Sequence, residues 1–70
     1  MDPDNLTTRN REHAFADAIA TGVLTRETAP MYMYMYTDRY RGDAFKHVDT
    51  RRYVYNNAIR YRLDYKREVN

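Results

Sequence analysis

Residues 31–36 read Met-Tyr-Met-Tyr-Met-Tyr, and this strict alternation constrains the chain more than any other feature. A strand points successive side chains to opposite faces, so an extended segment here has one methionine face and one tyrosine face. A helix would scatter both types around its axis. Tyrosine also favours strands. The methionines are expected to turn inward against helices. That leaves Tyr32, Tyr34 and Tyr36 in an outward row with a spacing of about 6.6 Å.

The flanking sequence supplies the partners for such a strand. Residues 1–6 read as a flexible tail, and residues 7–70 as a single α+β domain. Thr7 or Thr8 is suited to cap a first helix. Ala14, Phe15, Ala18 and Ile19 form its apolar stripe, and Gly22 is placed to end it in the left-handed conformation. Thr25–Thr28 can make one helical turn, and Pro30 is expected to push Ala29 into an extended conformation. Gly42-Asp43 then makes a hairpin turn, and a second strand over 44–48 returns antiparallel. A loop with an odd number of residues sets Ala44, Lys46 and Val48 on the tyrosine face and Phe45 and His47 on the methionine face. That register is the expected one. Asp49 or Thr50 would cap a last helix, with Val54, Ala58, Tyr61 and Tyr65 in one row and Tyr55, Ile59 and Leu63 beside it. The predicted fold is a small α-β-β-α domain, an antiparallel hairpin packed by two helices.

Composition matters at this point because two strands and two helices must find a core. Leu, Ile, Val and Phe number eleven of the 70 residues, about 16%, so Met, Ala and the rings of Tyr have to contribute. A chain this short buries only about 60% of its unfolded surface. Homodimerisation, with hairpins pairing edge to edge, is a natural remedy.

Composition also narrows the chemistry. The chain has neither Cys nor Ser, which excludes nucleophilic catalysis by either and leaves no disulfide. No paired carboxylates in an apolar setting are evident, so no enzymatic activity is expected. Asp43, His47 and Asp49 match no recognised metal-ligand spacing, and no cofactor or metal is expected. No apolar run approaches membrane-spanning length. The acidic start, Met1 to Asn5, is unlike a signal peptide, and a cytoplasmic protein is expected. Arg41-Gly42-Asp43 spells an adhesion tripeptide but reads more simply as the hairpin turn.

Two binding surfaces emerge. The first is the tyrosine row, Tyr32, Tyr34 and Tyr36, bordered by Arg39, Tyr40, Arg41 and Lys46. Tyrosine and arginine suit partner-protein interfaces because each combines contact area with a polar handle. The row reads alternatively as core, or, less readily, as a dimer interface. The second lies in the C-terminal segment, where Arg51, Arg52, Arg60, Arg62, Lys66 and Arg67 face only Asp64 and Glu68. These cations suit phosphates, and neighbouring rings suit unpaired bases. The leading expectation is a small non-enzymatic binding protein that docks a partner protein, an accessory factor or inhibitor of the kind often encoded by bacteriophages. The alternative is a nucleic-acid-binding module.

Overall fold

The computed structural model describes residues 6–59. It is an α+β domain in which a four-stranded antiparallel sheet, ordered β1-β2-β3-β4, carries one helix. The elements are β1 (Leu6–Thr7), α1 (Arg11–Thr21), β2 (Tyr32–Asp38), β3 (Gly42–His47) and β4 (Tyr53–Asn56).

Helix α1 starts later than Thr7 or Thr8 suggested. Asn10 is its cap, accepting the His13 N–H at 3.1 Å through Oδ1. Thr7 is occupied elsewhere: with Leu6 it pairs against Thr37 and Asp38 at the edge of the sheet. The helix ends at Gly22, whose φ of 86° is the expected left-handed cap. Ala14 and Ala18 are buried, and Phe15 and Ile19 pack beside them, as the stripe predicted.

Thr25 and Thr28 then close a turn through reciprocal backbone-to-hydroxyl bonds of 2.9 and 3.0 Å. Ala29–Met31 forms a 3-10 turn and not the extended entry expected. Proline lacks an N–H, and the first turn of a helix needs none there, so Pro30 fits.

The hairpin has a three-residue loop, Arg39–Arg41, with Asp38 opposite Gly42. This odd count was the expected one, and it pairs Tyr36 with Ala44. Met35 is then an extra residue, a bulge, and beyond it Tyr34 pairs with Phe45 and Tyr32 with His47. One inserted residue exchanges the two faces. The tyrosine row is thereby split: Tyr32 and Tyr34 share the inner face with Phe45, while Tyr36 lies on the outer face with Ala44.

The core therefore inverts the expected polarity. Ala14, Ala18, Leu24 and Phe45 are its buried centre, and Tyr32, Tyr34 and Val54 pack against it. Phe45 meets Phe15 at 5.0 Å and Tyr34 at 5.8 Å between ring centroids. Met31, Met33 and Met35 are 49, 43 and 37% exposed. Two aromatic rings fill more volume than two thioethers, and burying each contributes about 1.5–3 kcal/mol. The Tyr34 hydroxyl does not obstruct this. It accepts the Arg9 N–H at 2.8 Å and donates to Thr37 Oγ1, whose own proton goes to Asp43.

The predicted last helix is displaced. Residues 53–56 are β4, paired to β3 with Tyr55 opposite Ala44 and Tyr53 opposite Lys46. Asp49 and Thr50 belong to the loop before it, where their N–H groups both donate to His47 Nδ1 at 3.1 Å. Arg51 turns that loop with a φ of 63°. Helical conformation begins only at Ala58. Residues 60–70, which hold the rest of the predicted helix, lie outside the described residues.

Candidate functional site

The sheet has two unlike faces. Helix α1 covers the inner one. On the outer one the register brings together Met33 and Tyr36 of β2, Ala44 and Lys46 of β3, and Tyr53 and Tyr55 of β4. Ala44, a small residue, lies between Tyr36 and Tyr55 in the cross-strand direction and leaves room for both rings.

The tyrosines form one cluster. Tyr53 and Tyr55 stack with centroids 6.0 Å apart and planes 15° apart, and Tyr36 lies 6.4 Å from Tyr53. Two cations sit on these rings. The Arg41 guanidinium is 4.9 Å from the centre of Tyr55, and the Lys46 ammonium is 5.8 Å from that of Tyr53. Such contacts are worth about 0.5–1 kcal/mol at exposed positions. Arg41 Nη1 also donates to the Tyr55 hydroxyl at 3.3 Å.

Asp38 fixes Arg41 in this position. Its Oδ2 accepts from Arg41 Nε and Nη2 at 3.1 and 2.8 Å, and its Oδ1 accepts the Tyr40 N–H at 2.7 Å. Burial alone would raise the Asp38 carboxyl, but these hydrogen bonds outweigh it and hold the group below the ordinary carboxylate value. The Arg41 guanidinium is correspondingly raised by its bond to Asp38. Burial, followed by the neighbouring Tyr55 phenol, raises the Tyr36 hydroxyl above the ordinary tyrosine value, so the Tyr36 phenol stays a neutral donor at physiological pH.

Of the predicted row only Tyr36 is in this cluster, and of its predicted border Arg41 and Lys46. Tyr40 is at the hairpin tip, 60% exposed, with the Arg39 guanidinium 5.6 Å from its ring. Tyr32 and Tyr34 are corrected: they pack on the core. Tyr53 and Tyr55 were missed because they were assigned to a helix. Yet Tyr-Val-Tyr-Asn alternates with the same period of two that marked β2, and that signal was available. In the basic set, Arg51 and Arg52 are exposed in the β3–β4 loop. Arg60, Arg62, Lys66 and Arg67 lie outside the described residues.

A second polar cluster lies beneath the sheet. The fully buried Asp43 accepts from the Thr37 hydroxyl through Oδ1, and Arg9 Nε approaches the same oxygen at 3.5 Å. Arg9 also binds Asp17 of α1 at 2.6 Å. This cluster ties helix to sheet. It also buries the Asp43 carboxylate of the Arg-Gly-Asp tripeptide, which an adhesion role would need exposed. Among the described residues no group of three or more His, Asp or Glu gathers to hold a metal, and no helix is long and apolar enough to cross a membrane.

The fold and this face define a small α+β domain with an aromatic and cationic sheet surface. No protein-family model, curated protein sequence or solved structure matches the chain.

Proposed function

We propose that this chain is a small non-enzymatic binding protein that docks a partner protein through the outer face of its sheet. Tyr36, Tyr53 and Tyr55 form the contact, and Arg41 and Lys46 its charged border. The observation that carries this reading is the stacked tyrosine cluster with a cation held on two of its rings, mounted on paired strands. Rings fixed by strand pairing and by each other lose little freedom on docking, and Tyr and Arg are the residues that dominate interface energetics. The cationic border favours an acidic partner surface. The mode of action is occlusion or scaffolding by a cytoplasmic accessory factor or inhibitor.

One observation favours a nucleic-acid reading as well. Parallel rings at 6.0 Å beside Lys46 suit the stacking of unpaired bases, with Arg51 and Arg52 in the adjoining loop. The two readings separate in one set of measurements. Affinity capture with the intact chain identifies a bound protein, and a Tyr36→Ser/Tyr55→Ser variant is then tested against that protein. The variant is expected to lose it while keeping its far-ultraviolet circular dichroism. Retention of the protein by the variant overturns the reading. Tight binding of a single-stranded oligonucleotide that collapses between about 50 and 200 mM salt would favour the alternative.

A further inference from the structure

The outer edge of β2 is only partly covered. Strand β1 pairs with Thr37 and Asp38, and among the described residues nothing pairs with Tyr32–Tyr36 on that side. The hydrogen-bond phase shows which groups are turned there. The Val48 N–H donates to Met31 O at 2.9 Å, whereas the His47 N–H and C=O are both used toward β4, with Arg52 O and the Arg51 N–H. Antiparallel ladders alternate, so Met33 directs its backbone groups to β3, and Tyr32 and Tyr34 direct theirs outward. The Tyr32 N–H is taken by Ala29 O. The Tyr32 C=O and both Tyr34 groups therefore face outward along this edge.

Natural edges are usually blunted by charge. From Ala29 to Thr37 there is no charged residue. The edge instead displays Met31, Met33 and Met35, and beside it lies a shallow groove lined by Phe15, Ile19 and Tyr32 together with the charged Arg11, Glu12 and Arg26.

We propose that this edge pairs with the same edge of a second copy of the chain, antiparallel, about a two-fold axis at Met33. The register follows from what bounds the segment. Pro30 has no N–H to offer at one end, and β1 occupies Thr37 at the other. The midpoint of the five residues between Met31 and Met35 is Met33. An axis one residue later, at Tyr34, would put the second copy's Met31 opposite Thr37, where Thr7 already sits. Centred at Met33, the Tyr34 N–H of each copy donates to the Tyr32 C=O of the other. Met33 of each copy then meets the other on the outer face, with the exposed Met31 and Met35 close by in sequence. The sequence is its own complement about this axis: Met faces Met, and Tyr faces Tyr. A second copy is therefore the occupant that matches side-chain type at every position. The pairing leaves Tyr36, Tyr53 and Tyr55 uncovered, so it stands or falls separately from the docking face.

Met33 is solvent-facing, and substitutions there test the pairing without disturbing the core. Sedimentation of the intact chain from low to high micromolar concentration is expected to show a dimer forming, and Met33→Lys, which sets two like charges face to face, is expected to remain monomeric. On the axis Met33 forms a non-hydrogen-bonded pair with Cα atoms about 4.5 Å apart, close enough for a disulfide. Met33→Cys should therefore oxidise to a covalent dimer at least about tenfold faster than Tyr40→Cys at the exposed loop tip, because paired thiols react at an effective concentration near millimolar. A wild-type chain that stays monomeric overturns the proposal. A dimer that survives Met33→Lys, or equal oxidation rates for the two cysteine variants, overturns it as well.

Discussion

Gly42 lies directly against the backbone of Asn56. A Cβ added at Gly42 would stand 1.9 Å from the Asn56 carbonyl oxygen, and the Gly42 φ of 90° is one that other residues avoid. Gly22 has a similar φ of 86° but nothing within 4 Å of the same position. The two glycines thus separate conformational strain from steric contact. Gly22→Ala is expected to cost about 1 kcal/mol, the strain alone. Gly42→Ala should cost about 3 kcal/mol or more, because the β3 start and the end of β4 cannot both keep their places. Urea denaturation of the two variants checks the difference; equal losses would mean that the close approach does not exist in solution.

Asp38 makes the hairpin sensitive to acid. Its folded carboxyl titrates below the ordinary value of about 3.8, so its contribution is complete above that value and is lost as pH falls through the lower, folded one. The wild-type melting temperature should therefore decline on acidification below about pH 4. Asp38→Asn keeps an acceptor for the Tyr40 N–H but loses the charge that holds Arg41. It should be less stable by about 1–2 kcal/mol at neutral pH, with the gap closing in acid. A gap that is constant from neutral pH into acid would show that the carboxylate charge plays no part.

The two halves of the Met/Tyr tract should respond in opposite senses to truncation. Tyr34→Ala removes a ring from the core and leaves the Thr37 hydroxyl and the Arg9 N–H short of a partner. A loss of about 3–4 kcal/mol is expected, in the usual range for deleting a buried aromatic. Met33→Ser and Met35→Ser expose little that was covered and should stay within about 0.5–1 kcal/mol of the wild type. Thermal melts of these variants decide which side chains the helix covers.

Arg9 links α1 to the sheet by reaching Asp17 and the buried Asp43 together. Arg9→Leu should cost about 3 kcal/mol, typical of removing one partner from a buried ion pair. Hydrogen exchange should show α1 losing protection before the β2–β3 hairpin, since the hairpin keeps its own ladder. Simultaneous loss in both would mean that the linkage is not confined to Arg9.

The period of two in Met31–Tyr36, the helical stripe from Ala14 to Ile19, the cap at Gly22 and the turn at Gly42 are local signals, set by backbone stereochemistry within a few residues. From them the sequence alone established a helix, a strand and a hairpin, but it put the turn at Gly42-Asp43, whereas the loop is Arg39–Arg41 and Gly42 and Asp43 both lie in β3. It also marked tyrosines and cations as the surface chemistry. Which face the tyrosines take was decided by one inserted residue, Met35, and by whether partners such as Thr37 and the Arg9 N–H were at hand for the Tyr34 hydroxyl. No local pattern contains either. The choice between helix and strand for Tyr53–Asn56 was decided in the same way. Its four residues carry both periodicities, and the open edge of β3, supplied by residues distant in the chain, made the strand the better way to satisfy the backbone.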